Sequence, residues 1–190
     1  MPLTHHISAR SRVRAASAVV ILLCHALAPT QALAQTNRAG EYQIKAAFLF
    51  NFGQFVTWAP DAFPTAAAPF VICVLGDDPF GTTLDEIVEG ATLQGRPTRV
   101  ERYREVEDVG DCQILFVSNS ELPRLDRILA ALGGRSILTV GEAETFAAHS
   151  GIIRFLIVDS RLRLEINAAA AENAGLRISS RLLSLADVVR

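Results

Sequence analysis

Beyond residue 34 the chain holds two cysteines, Cys73 and Cys112, a single histidine, His149, and a scatter of serines and carboxylates, and these are the residues that could do chemistry. A serine nucleophile needs a base and an orienting acid, and neither Ser118, Ser120 nor Ser150 stands in a G-x-S-x-G setting. His149 falls in a stretch that reads as surface loop. If the cysteines are paired, a metal site would have to be built from carboxylates alone, and the Asp and Glu residues do not cluster at ligand spacings. GDDPFG, residues 76–81, has two glycines but neither phosphate-loop spacing, and Asp77 and Asp78 would repel a phosphate. Asp78 reads instead as the cap of a helix whose first residue is Pro79. No catalytic constellation, metal site or cofactor motif is expected, and a protein that works by binding is.

The state of the cysteines depends on the compartment, which the N-terminus decides. Arg10, Arg12 and Arg14 precede an apolar stretch from Ala15 to Leu27, and Ala32, Leu33 and Ala34 supply a small-x-small cleavage site. Residues 1–34 therefore read as a cleaved signal peptide, 35–40 as a short N-terminal segment and 41–190 as one domain. The apolar stretch is shorter than the ~20 residues that span a bilayer, so no membrane insertion is expected after cleavage. The third cysteine, Cys24, leaves with the leader. In an exported chain an even cysteine count reads as a disulfide, whereas in the cytosol it reads as two buried thiols. Both residues sit on strand-like runs, FVICVL and CQILFVS, which adjacent strands could bring together. The net charge of −2 becomes more negative once three leader arginines are removed, and this disfavours nucleic acid as a partner.

The positioning elements follow from periodicity. Glu41 to Trp58 reads as a core helix with Ile44, Phe48, Phe52 and Phe55 along one side; the sharper reading gives Trp58 to a ligand pocket or partner surface. Phe70 to Leu75, Cys112 to Ser118, Ser136 to Val140 and Gly151 to Val158 read as strands, and Leu84 to Val88 and Leu122 to Leu132 as parts of helices between them. Thr92 to Tyr103 is expected to add a further strand. The Asp159–Ser160 turn joins Gly151 to Val158 to an alternating run, Arg161 to Ile166, in an antiparallel hairpin. Asn167 caps a helix over Ala168 to Ala171, Gly175 closes it, and Ser179 or Ser180 caps a last helix with Leu182, Leu185, Ala186 and Val189 on one face. The expected fold is α/β, a single domain with a mostly parallel sheet, helices on both faces, and a C-terminal antiparallel hairpin followed by two short helices.

INAAAAENAGLRISSRLLSLA, residues 166–186, resembles the C-terminal signature of the YfiR family. EYQIKAAFLFNFGQFVTWAP is similar to that family's opening helix, VICVLGDDPFG to its first strand and loop, and ILTVGEAETFAAHSGIIRFLIVDSRLRLEIN to its late strands. The resemblance implies a periplasmic regulator that binds the periplasmic domain of an inner-membrane signalling protein. The best-known kind of partner is a diguanylate cyclase, whose repression lowers cyclic-di-GMP. It also gives Cys73 and Cys112 the role of a strand-linking disulfide, and a second cysteine pair of some relatives has no counterpart here. Two other readings stand beside it: a periplasmic small-molecule-binding module acting with a transporter or receptor, and a hydrolase without a recognisable motif. Trp58, Arg177, Arg181, Leu182 and Leu185 are the candidate partner or ligand surface, with packing of the leucines into the core as the simpler account. A homodimer stays open.

Overall fold

The computed structural model describes residues 28–189 and opens on helix α1 (Ala28–Phe55). A two-residue strand, β1 (Val56–Thr57), follows it. The chain then runs through β2 (Phe70–Leu75), α2 (Thr83–Val88), β3 (Thr92–Leu93), β4 (Arg96–Tyr103) and β5 (Ile114–Val117). It continues through α3 (Leu125–Leu132), β6 (Leu138–Gly141), β7 (Ile153–Val158), β8 (Arg161–Asn167), α4 (Ala168–Asn173), β9 (Arg177–Ile178), α5 (Ser180–Leu183) and β10 (Asp187–Val189). The leader read from the sequence falls mostly outside the described residues. Residues 35–40, expected as a separate segment, belong to α1.

Eight strands form one sheet in the order β10-β8-β7-β6-β5-β2-β4-β3, parallel except at β8–β7 and β4–β3. β1 and β9 pair separately as a small antiparallel ribbon. Both hairpins of the main sheet turn on two residues of positive φ, Gln94 and Gly95 in one and Asp159 and Ser160 in the other. That backbone matches the right-handed twist of the strands it joins. Residues 92–103 thus supply a short hairpin whose longer arm lies parallel to β2.

β2 is buried at all six positions and splits its side chains between two cores. Phe70, Ile72 and Val74 face the first, with Ala46, Leu49 and Phe52 of α1, Leu84 of α2 and Leu182 of α5. Val71, Cys73 and Leu75 face the second, with Leu125, Ile128, Leu129 and Leu132 of α3. Helices therefore cover both faces, as continuous apolar strands require. The first core is largely aromatic: Phe52 stacks on Phe155 at 5.9 Å, and Trp58 meets Phe70 edge-on at 5.0 Å. The second core ends at β6. Across β7, β8 and β10 no residue belongs to it.

Of the expected inward face of α1, Phe52 is buried and Phe48 and Phe55 pack against the first core, but Ile44 turns outward. Ile44 is 53% exposed, and the buried stripe is Lys45, Ala46, Leu49, Phe52 and Gly53. A helix apolar nearly all round carries little angular information, so the sheet selects the face. Gly53 belongs to that stripe because a Cβ there would come within 2.5 Å of Leu93 Cδ1. The end of the chain also differs from expectation. α5 stops at Leu183, and the residues after it form β10, so Leu185 and Val189 do not continue a helix. Pairing with the open edge of β8 satisfies backbone groups that a longer helix would have left bare.

Candidate functional site

Open α/β sheets hold ligands beyond the carboxyl ends of their strands, where the chain switches direction. Here that place lies between β2, whose connection runs to β4 on one side, and β5 on the other. The chain's own side chains fill it. Gly76, at φ +90°, leaves β2, and a Cβ on it would come within 2.6 Å of Glu121 Oε1. Ser120 Oγ accepts from Asp77 N at 3.0 Å and donates to Glu121 at 3.1 Å. Buried Glu121 accepts from Arg124 Nε at 2.5 Å, and Arg124 also reaches Glu105 and the Arg104 carbonyl.

Arg102 draws the GDDPFG loop and α2 together, binding Asp78 at 2.6 Å, Asp85 at 2.5 Å and the Gly81 carbonyl at 2.8 Å. The guanidinium holds the Asp85 carboxyl below its usual range, and Asp85 in turn raises Arg102. Burial, reinforced by the bond to Glu101, pushes the Tyr103 phenol up. This lattice corrects the expected cap: Asp78 accepts from Phe80 N at 2.7 Å, and the helix begins only at Thr83. Asp78 is drawn to Arg102, a partner on β4 that the local sequence does not reveal.

A second polar cluster joins α1 to the ends of β5 and β6. Lys45, the only lysine of the chain, is 3% exposed and pairs with Glu142. Tyr42 and Asn119 donate to the other carboxylate oxygen of Glu142 at 3.0 and 3.2 Å. Lys45 Nζ also lies 4.6 Å from the centre of the Tyr42 ring. Sequence reading missed this cluster; a lysine within an otherwise apolar helix face was the available signal.

The histidine and serines have local partners. His149 pairs with Asp126 of α3 across a groove of about 370 Å³ lined by Leu122, Arg124, Arg127 and Thr145. Arg127 is tied to Glu107. Ser118 and Ser179 accept backbone N–H groups as helix caps. Among the described residues no three of His, Cys, Asp or Glu gather as metal ligands. No helix of the described residues is long and apolar enough to cross a membrane.

The remaining predicted residues separate into structural and surface groups. Cys73 and Cys112 are bonded, with Cα atoms 6.2 Å apart, linking β2 to the segment entering β5. Asn167 Oδ1 accepts from Ala170 N at 2.9 Å and so caps α4, while its Nδ2 donates to the Ala147 carbonyl at 2.9 Å. Gly175, at φ +70°, closes α4 with paired bonds from Gly175 N to Glu172 O and Leu176 N to Ala171 O, the Schellman arrangement. Asn167→Ala is therefore expected to cost about 2 kcal/mol, one for the cap and one for the second bond, measured by urea denaturation. A loss near 1 kcal/mol would show that the bond to Ala147 contributes nothing.

Trp58 and Leu182, proposed as surface, are 5% and 3% exposed and belong to the first core. An aromatic at a helix end has no outward obligation when the β1–β9 ribbon folds it inward. Arg177 is exposed on β9, and Arg181 lies over the Phe55 ring at 5.7 Å. Leu185 is 65% exposed. Val189, another candidate of the C-terminal surface, is exposed as well, and so are Ile157, Val158 and Val188 on the last strands of the sheet, which sequence reading did not single out. Ile157 and Val188 lie on the face of the first core and Val158 and Val189 on the other, and exposed apolar side chains on edge strands suit contact with another protein.

Comparison with curated proteins finds no match. A family model described as YfiR/HmsC-like matches residues 42–187, which takes in α1 from Tyr42, both cores, the disulfide and the C-terminal capped turns. This chain belongs to the YfiR/HmsC-like family.

Proposed function

We propose that this protein is an exported regulator that binds the periplasmic domain of a membrane-anchored signalling enzyme, a diguanylate cyclase, and holds it inactive. The observation that carries the reading is the contrast between two regions. The crevice where an open α/β sheet would take a ligand is packed with internal ion pairs, whereas apolar side chains lie bare on β7 and β10. Family membership supplies the signalling context. A regulator of this kind needs only to bind the inactive state of its partner better than the active one. A difference of about 5.5 kcal/mol moves such an equilibrium from 99% on to 99% off.

The groove beside His149 is the observation that favours the small-molecule reading, since about 370 Å³ would hold a small ligand. Its charged groups are nevertheless already paired: Arg124 with Glu121, Arg127 with Glu107 and Asp126 with His149. A ligand would have to displace those pairs, so contact is the stronger reading.

Deleting the gene is expected to raise cellular cyclic-di-GMP, and deleting the partner cyclase as well should remove the rise. An unchanged level in the single deletion, under conditions where the protein is made, overturns repression of a cyclase and promotes the ligand-binding reading.

A further inference from the structure

In β7 and β8 the alternation of side chains sends Ile153, Phe155, Leu164 and Ile166 into the first core. The intervening residues, Arg154, Leu156, Val158, Arg161, Arg163 and Glu165, share the opposite face. No residue of the second core packs there; Val158, Arg161 and Arg163 are exposed, while Arg154, Leu156 and Glu165 are half-buried. Cross-strand register sets Leu156 opposite Arg163 and Val158 opposite Arg161, so each apolar side chain has a guanidinium for a neighbour. β10 extends the same face with Asp187 and Val189, opposite Glu165 and Asn167.

The two arginines differ from most others in the domain. Arg99, Arg102, Arg104, Arg124, Arg127 and Arg154 are all paired with carboxylates, and Arg96 and Arg135 donate to backbone carbonyls. Arg161 and Arg163 are exposed and have no acceptor within hydrogen-bonding distance among the described residues. Glu165, the nearest acid along β8, is engaged by Arg154 at 3.3 Å. In a chain of net negative charge whose other guanidiniums are largely neutralised internally, this face keeps two for an external acid.

We propose that the exposed part of this face, around Val158, Arg161 and Arg163, is the docking site for an acidic segment of the signalling partner's periplasmic domain. Its carboxylates would meet Arg161 and Arg163 bidentately, and its apolar side chains would cover Val158 and the half-buried Leu156 beside them. The inference rests on the contact reading above and adds to it the place and the chemistry of the contact.

The test measures cyclic-di-GMP in cells carrying the gene deletion and complemented with variants. Arg161→Glu/Arg163→Glu is expected to leave the melting temperature unchanged, since both side chains are exposed, and to raise cyclic-di-GMP to the level of the deletion. Arg161→Lys/Arg163→Lys should retain part of the repression, because charge survives but the bidentate fork does not. Val158→Asp, a second exposed position on the face, should also release repression, and its result stands should the charge-reversed protein fail to fold. Replacing acidic residues of the cyclase's periplasmic domain by arginine should restore repression by the charge-reversed variant. Full repression by both the charge-reversed variant and Val158→Asp overturns the docking site while leaving the contact reading intact. No rise on gene deletion sinks both. Binding of the purified wild-type protein, but not the charge-reversed one, to phosphatidylglycerol vesicles would assign the arginines to lipid headgroups and overturn the acidic segment.

Discussion

Replacing Cys73 and Cys112 together by alanine is expected to lower the unfolding free energy by about 4 kcal/mol. The bond closes a loop across 39 residues of sequence, and the chain-entropy account of cross-linking gives about that figure for about 40 enclosed residues. Both positions are buried in the second core, so alanine leaves small voids there but no unsatisfied polar group. Against a usual total of about 5 to 15 kcal/mol this is a large share. For a domain of this size it corresponds to a fall in melting temperature of roughly 10 °C. Unfolding unreduced wild-type protein lacking residues 1–34 in urea should expose no thiol to a thiol reagent, and adding reductant should reproduce the alanine result. A change below about 1 kcal/mol would mean that the reduced chain folds around β2 and β5 without the constraint, and the entropic account would then be wrong for this protein.

The second large effect is expected at Lys45. Lys45→Met removes the cation and leaves the carboxylate of Glu142, itself 10% exposed, with two neutral donors, Tyr42 and Asn119. Breaking a buried pair by deleting one partner typically costs 3 to 5 kcal/mol, and the two surviving bonds place this case near about 3. Lys45→Met/Glu142→Leu should recover about half of that, because the apolar pair leaves no stranded charge although Tyr42 and Asn119 lose their acceptor. Urea denaturation of the four proteins in the cycle measures the coupling directly. Equal losses in the single and double variants would show that the cost comes from repacking α1 and not from a stranded charge.

Much of this protein can be read from short stretches of its chain. Alternation along Arg161 to Ile166, the continuous apolar run Phe70 to Leu75, and the intervening helical segments are enough to specify an α/β domain with a mostly parallel sheet. Asn167, the alanines after it and Gly175 describe a capped helix with its closing turn, because the capping and closing bonds all lie within six residues. The two cysteines on apolar runs point to a bond between neighbouring strands. In each case the information is local or depends on side-chain period alone.

The rest depends on groups far apart in sequence. Asp78 is engaged by Arg102, 24 residues away, and Lys45 by Glu142, 97 residues away, so neither partner is visible in a local window. α1 is apolar on most of its circumference, so its own pattern does not choose which side meets the sheet; Leu93 against Gly53 and Phe155 against Phe52 do. Trp58 and Leu182 turn inward because β1 pairs with β9, a contact of two residues from each end of the fold. The bare face of β7 and β8 is likewise invisible in the alternating pattern, which marks one side for the core and says nothing of whether the other is covered. Periodicity assigns side chains to faces, and only the placing of α3, whose packing ends at β6, leaves Val158, Arg161 and Arg163 to solvent.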